Sequence, residues 1–146
     1  MDLSACSSLF RTLSDATRVR LLVLLEQEEL TVAELSQITQ LAQPRVSTHL
    51  AKLKEHDLVR DRRAGVLAYY RFNNDLTGPE SGFWQTTRQI VDDALLDDDR
   101  KRLPEVLKKR AREEGWADSV AGSMERHYSP GLTWEALARG IMHLVE

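Results

Sequence analysis

The stretch Leu41-Ala-Gln-Pro-Arg-Val-Ser-Thr-His-Leu50 (LAQPRVSTHL) decides how the rest of the chain is read. Pro44 fits the first turn of a helix, where its missing amide proton has no intrahelical partner. From there a helix is expected to run to about His56. At 100° per residue, Val46, Leu50 and Leu53 fall within about 60° of one another and form a narrow apolar stripe. Arg45, Thr48 and Lys52 occupy another arc of about 60°, nearly opposite. Ser47 and His49 flank the stripe, and Gln43 lies at the helix N-terminus. This helix buries one face and offers the other. The exposed groups suit a solvated surface, a metal or catalytic site, or a reader of DNA.

Upstream, three helices are predicted. Leu3 to Leu13 carries Leu3, Leu9, Phe10 and Leu13 as apolar positions. Ser14 or Asp15 caps a second helix, Ala16 to about Glu26, whose C-terminal half is apolar nearly all round and therefore buried. Thr31-Val-Ala-Glu34 has the spacing of a capping box, which starts a third helix of about two turns ending at Thr39. Its inward positions are Val32, Leu35 and Ile38.

Downstream, Leu58 to Arg62 and Val66 to Phe72 have strand character around Arg63-Ala64-Gly65, the expected turn of a hairpin. Asn73 to Gly82 reads as a loop. Phe83 to about Leu96 returns to helical period, with Phe83, Thr87, Ile90, Val91, Ala94 and Leu95 on one side. Pro104, Gly115 and Pro130-Gly131 are expected to divide the remainder into three short helical pieces, the last running from Trp134 to Val145 behind a Thr133 cap.

Composition narrows the function classes. The 146 residues are 42% hydrophobic and 29% charged, as in ordinary globular domains. Leu21 to Leu25 is the longest apolar run, far too short for a membrane span. The first eleven residues lack a basic region followed by a long apolar core, so no signal peptide is expected. A lone cysteine, Cys6, makes no intramolecular disulfide, and the expected compartment is the cytoplasm. Net charge is −3, yet residues 44–72 hold seven basic residues (Arg45, Lys52, Lys54, Arg60, Arg62, Arg63, Arg71) against Glu55, Asp57 and Asp61. A basic island in an acidic protein is an electrostatic footprint for nucleic acid; a solvated basic face is the bland alternative.

A short third helix meeting a fourth across a tight turn, followed by a basic hairpin, makes a winged helix-turn-helix. The expected fold class is mainly α with a small β-hairpin. A helix about 10–12 Å across fits the major groove, and hairpin arginines reach the neighbouring backbone or minor groove.

Leu13-Ser-Asp-Ala-Thr-Arg-Val-Arg-Leu-Leu22, Leu41 to Leu53 (LAQPRVSTHLAKL), His56-Asp-Leu-Val59 and Arg62 to Phe72 (RRAGVLAYYRF) resemble the ArsR/SmtB family of bacterial repressors. The likeness covers roughly residues 3 to 96. Ala42 departs from it, standing where the family usually has a serine that caps the recognition helix. The resemblance implies a homodimer, built from the first helix and Phe83 to Leu96, that binds a near-palindromic operator. By position Gln43, Arg45, Ser47, Thr48, His49 and Lys52 are the candidate DNA contacts, with Arg62 and Arg63 at the wing. Arg45 suits guanine O6 and N7, and Lys52 suits phosphate. For His49, which flanks the stripe, a partly buried histidine bonded to backbone is the competing role.

Many relatives hold soft metals on an ELCVCDL segment. Here the matching stretch is Glu29-Leu-Thr-Val-Ala-Glu-Leu35, with Thr31 and Ala33 in place of both thiolates, so no metal site is expected there. Phe83 to Leu96 contains no histidine, and Asp92, Asp93 and Asp97 to Asp99 read as a solvated acidic face and a helix cap. His143 and Glu146, at i, i+3, read as a chance pair. Arg126 to Leu144 and Asp98 to Arg110 resemble the segment that precedes a fused S-adenosylmethionine-dependent methyltransferase domain in a subset of the family. This resemblance implies S-adenosylhomocysteine or S-adenosylmethionine as effector. Phe83, Trp84, Trp116, Tyr128 and Trp134 are the candidate aromatic contacts; anchoring a helical appendage is their competing role.

Two units are expected: residues 1–96 for DNA binding and dimerisation, and 97–146 as a helical extension. No nucleophile, acid–base pair or phosphate-binding glycine loop has usable spacing, so neither enzyme activity nor a cofactor is expected. A regulatory module of a methyltransferase, and a metal- or redox-responsive repressor, are the competing functions.

Overall fold

The structure, a computed structural model, describes residues 1–127. Its elements are α1 (Leu3–Leu13), α2 (Ala16–Gln27), β1 (Leu30–Thr31), α3 (Val32–Thr39), α4 (Gln43–Glu55), β2 (Val59–Ala64), β3 (Leu67–Phe72), α5 (Pro79–Ile90) and α6 (Ala94–His127). The class is the expected one, mainly helical with a small antiparallel sheet. Leu21, Leu22, Val23, Leu24 and Leu25 of α2 are all buried and form the centre of one core cluster with Leu35, Ile38, Val46, Leu50, Leu53 and Leu58.

Local rules account for the helix starts. Asp2 and Asp15 accept amide protons at the N-termini of α1 and α2. The capping box of α3 is complete: the Glu34 amide donates to Thr31 Oγ1 at 3.2 Å, and the Thr31 amide to Glu34 Oε1 at 2.9 Å. Ala42 gives α4 no side-chain cap, and Pro44 occupies its first turn. The far end of α4 closes in a Schellman motif. Asp57 takes a left-handed φ of 57°, its amide bonds to the Lys54 carbonyl, and the Leu58 amide reaches back to Leu53. That closure turns the chain directly into the hairpin.

Three expectations for the chain up to residue 96 are corrected. The sheet has a third strand, in the order β1-β3-β2, because Leu30 and Thr31 pair with Tyr70 and Tyr69. The hairpin turn is Gly65-Val66, not Arg63-Ala64-Gly65. Arg63 and the buried Ala64 stay in register with Ala68 and Leu67, and Gly65 takes the positive φ of 63° that a two-residue turn needs at its first position. The predicted helix Phe83 to Leu96 is instead two elements. α5 starts earlier, with Pro79 in its first turn, and ends at Ile90. Asp93 then opens α6, its Oδ1 accepting the Leu95 amide at 2.8 Å.

α6 is the largest difference. Pro104 and Gly115 do not break it, and one helix runs from Ala94 to His127. Pro104 lies on the exposed side of the helix, away from the core. Leu96, Leu103 and Val106 meanwhile enter the same core cluster as α2 and α3, so packing overrides the local break. A division at residue 96 therefore falls inside a helix whose first half belongs to the core. The predicted pieces beyond residue 127, with Tyr128, Thr133, Trp134, His143 and Glu146, lie outside the described residues.

Polar ties dock α6. Arg20 of α2 grips Asp99 with two bonds of 2.9 Å and also donates to the Thr39 carbonyl. Asp99, expected on a solvated acidic face, is 1% exposed. Arg102 donates to the Ile38 carbonyl at 3.0 Å. Arg110 binds both oxygens of Glu34 and the Glu29 carbonyl. These ties reach both ends of α3, the brace of α4.

Candidate nucleic-acid interface

Val46, Leu50 and Leu53 are 0% exposed, which anchors α4 along one line and fixes which residues it turns outward. Gln43, Arg45, Ser47, Thr48 and Lys52 are all exposed. Thr48 Oγ1 donates to the Pro44 carbonyl at 2.9 Å, leaving its lone pairs outward. Arg45 stands at the α2 boundary, its Nη2 3.5 Å from Thr17 Oγ1. Lys52 makes a 3.9 Å pair with Glu55, both largely exposed, a contact of little energetic weight. The outer face of α4 thus carries an arginine fork, a lysine and three neutral hydrogen-bonding groups on a rigid helix.

His49 is half-buried at the inner edge of this face. Its Nδ1 accepts a hydrogen bond from Arg18 Nε at 3.1 Å, so its partner is a side chain of α2 rather than backbone. Burial holds the imidazole below its ordinary pKa; Asp15 opposes that shift, and Arg18 and Arg45 add to it. Arg18 was without a role in the sequence reading. A charged residue in the first turn of an otherwise buried helix is the one signal that pointed to it.

The two wing arginines point to opposite faces of the sheet, as neighbours in a strand must. Arg62 pairs with Glu29 at 2.6 Å and lies over the Tyr69 ring, 4.7 Å from its centre, on the side where Arg110 also packs against Tyr69. Arg63 is exposed on the other side, which it shares with Asp61 and Lys54. Asp61, through its hydrogen bond, holds the Lys54 ammonium above its ordinary pKa. Arg63 therefore belongs with α4, and Arg62 with the α3–α6 side.

Among the described residues, the candidate aromatics Phe83, Trp84 and Trp116 are not brought together. Phe83 stacks edge-on against Phe10 of α1 at 4.7 Å, and Trp84 is buried against Phe72. Trp116 is exposed on α6. Cys6 is half-buried and unpaired. Thr31 is engaged in the α3 cap, and among the described residues no three His, Cys, Asp or Glu side chains group as metal ligands. No helix there is long and apolar enough to cross a membrane.

A braced helix presenting cations and hydrogen-bonding groups beside a two-stranded wing defines the winged helix-turn-helix class. Residues 15–61 match the bacterial regulatory protein, arsR family. The chain is 43% identical over 68 residues to the arsenic resistance transcriptional regulator ArsR1 of Pseudomonas putida, an alignment covering 46% of this chain and 53% of that one. Against the arsenical resistance operon repressor of Escherichia coli, identity is 33% over 112 residues, covering 76% of this chain and 89% of the relative. The crystal structure of the transcriptional repressor BigR from Xylella fastidiosa superposes with a TM-score of 0.50 at 28% identity, covering 60% of this chain and 83% of that one. The chain belongs to the arsR family of bacterial regulatory proteins.

Proposed function

We propose that this protein is a transcriptional repressor that binds operator DNA as a homodimer. The observation that carries this reading is the outer face of α4: Gln43, Arg45, Ser47, Thr48 and Lys52 exposed together above a fully buried Val46, Leu50 and Leu53. In this reading α4 enters the major groove, Arg45 takes a guanine edge, Lys52 neutralises phosphate and Arg63 of the wing meets the adjacent backbone. Arg62, tied to Glu29, braces the wing instead.

Dimerisation is supported by the apolar side chains that α1, α5 and the start of α6 leave exposed: Leu3, Phe10, Ile90 and Leu95. A second copy related by a two-fold axis covers them and sets two copies of α4 one helical turn of DNA apart. Phe10→Asp then converts the dimer to a monomer in sedimentation and abolishes operator binding. The test of the whole reading is a gel shift against DNA upstream of the protein's own gene, at moderate salt with competitor. Retarded, sequence-selective complexes are expected; the absence of any sequence preference refutes it.

An effector of the S-adenosylhomocysteine or S-adenosylmethionine class completes the proposal. It rests on the likeness of residues 98–110 and 126–144 to the methyltransferase-linked subset. Thermal shift with either compound tests it, since a ligand bound only by the folded state raises the melting temperature.

A further inference from the structure

Arg18 lies in the first turn of α2 and bonds to two other helices. Nε donates to His49 Nδ1 of α4 at 3.1 Å, and Nη1 donates to the Arg11 and Thr12 carbonyls in the last turn of α1 at 3.2 and 3.3 Å. Guanidinium has donors only, so Nδ1 of His49 must supply a lone pair. A neutral imidazole carries one N–H, and with Nδ1 occupied as acceptor that proton resides on Nε2.

Protonating His49 would place an N–H on Nδ1 against the Arg18 N–H and break the bond. The charged groups facing the ring are Asp15 and Arg18 of α2 and Arg45 of α4, and their balance together with burial favours the neutral form. His49 therefore has one defined donor. It sits at the inner edge of the face that carries Arg45, Thr48 and Lys52.

We propose that Arg18 is a positioning residue for DNA recognition: it holds His49 as an Nε2–H donor aimed at a purine N7 in the major groove, and it ties that donor to the C-terminal carbonyls of α1. The inference rests on the DNA-binding reading above. Purine N7 is an acceptor on both adenine and guanine, so His49 distinguishes purine from pyrimidine at one position of each half-site. Phosphate oxygen is the other acceptor within the reach of such a donor, and it would carry no base preference.

The test uses the full chain and a duplex that the wild type selects from a random-sequence pool. Arg18→Met keeps the stem and removes the donors; Arg18→Gln keeps a donor to Nδ1 without the charge. Arg18→Met and His49→Ala should each weaken binding about tenfold, the scale of one lost hydrogen bond. The double variant should be no weaker than the weaker single, and Arg18→Gln should recover most of the loss. Replacing one purine per half-site by its 7-deaza analogue should cost the wild type about tenfold and leave the Arg18→Met and His49→Ala proteins unaffected. An NMR titration of the free protein should show the His49 pKa rising in Arg18→Met. Additive losses in the double variant, or the absence of any 7-deaza position whose cost disappears in Arg18→Met and His49→Ala, overturn the proposal. If the wild type selects no sequence at all, the DNA-binding reading itself falls, and the titration in free protein still shows whether Arg18 sets the state of His49.

Discussion

The Arg20–Asp99 pair offers the sharpest test of how α6 is held. Arg20 makes two bonds of 2.9 Å to the carboxylate and a third of 3.0 Å to the Thr39 carbonyl, with side-chain exposures of 12% and 1% for the two residues. Asp99, first through its hydrogen bond and then through its charge, holds the guanidinium pKa above its ordinary value against the opposing effect of burial. In Arg20→Met, Asp99 keeps only Arg102, at 3.7 Å, and the Thr39 carbonyl loses this donor. Stranding one partner of a buried ion pair costs about 3–5 kcal/mol, a large share of the roughly 5–15 kcal/mol that keeps a domain folded. With a urea slope of about 1–3 kcal/mol per molar, the unfolding midpoint should fall by roughly 2 M.

Removing both charges is a different perturbation. Arg20→Met with Asp99→Leu leaves neither ion uncompensated and should lie within about 1 kcal/mol of the wild type. The two single substitutions are therefore strongly non-additive, which is the signature of direct coupling. Urea unfolding followed by circular dichroism, at one fixed protein concentration because association would shift the midpoint, reads all four proteins. A loss below about 1 kcal/mol in Arg20→Met, or a double variant equal to the sum of the singles, would refute the argument that this pair fastens α6 to α2 and α3.

Arg45→Ala should cost operator affinity about 1–3 kcal/mol and relax preference at one base pair, while Lys52→Ala weakens all sequences alike; competition against single-base operator variants separates the two. Ion pairing shapes the salt response. Arg60, Arg62 and Lys54 are already paired with Asp75, Glu29 and Asp61, which leaves at most about four phosphate-neutralising cations per protomer and a log–log salt slope of roughly −4 per protomer, not the −6 that seven would give. Because the folded pKa of His49 is depressed, the folded state takes up its proton less readily than the unfolded state. The stability His49 contributes is thus fully present above the unfolded value of about 6.5 and is lost as pH falls through the lowered folded value. Urea midpoints between pH 5 and 8 should show this slope in the wild type and a flatter one in His49→Gln.

What could be read from the sequence was whatever depends on residues one or two turns apart. The Thr31–Glu34 capping box, Pro44 in the first turn of α4 and the Val46–Leu50–Leu53 stripe are all of this kind, and each occurs as expected. The strand β1 was illegible because its two residues are strand only by virtue of Tyr69 and Tyr70, far along the chain. Pro104 and Gly115 are weak helix residues by local propensity, yet α6 passes through both. The apolar positions Leu96, Leu103 and Val106 dock on the α2–α3 core and outweigh the local cost. The destination of Arg62 was equally out of reach, since its partner Glu29 lies across the sheet on a separate segment.

The same distinction bears on what a basic patch means. Counting charges marks residues 44–72 as a footprint, but charge alone does not say whether an arginine meets DNA or holds the protein together. Arg18, Arg20, Arg62, Arg102 and Arg110 all bond to other elements, four of them to backbone carbonyls at the ends of α1 and α3 or at the approach to α3. Guanidinium suits that role because its planar fork spans two acceptors at once and loses little freedom for each bond formed. The arginines outside the footprint thus fix the angle between α2, α3 and α6, and α3 packs on α4. The geometry of the reading face therefore depends on cations that need never touch DNA. Lys52 and Arg63 are exposed on the same side of the molecule as that face, and the electrostatic attraction there is smaller, and more directional, than the sequence count implies.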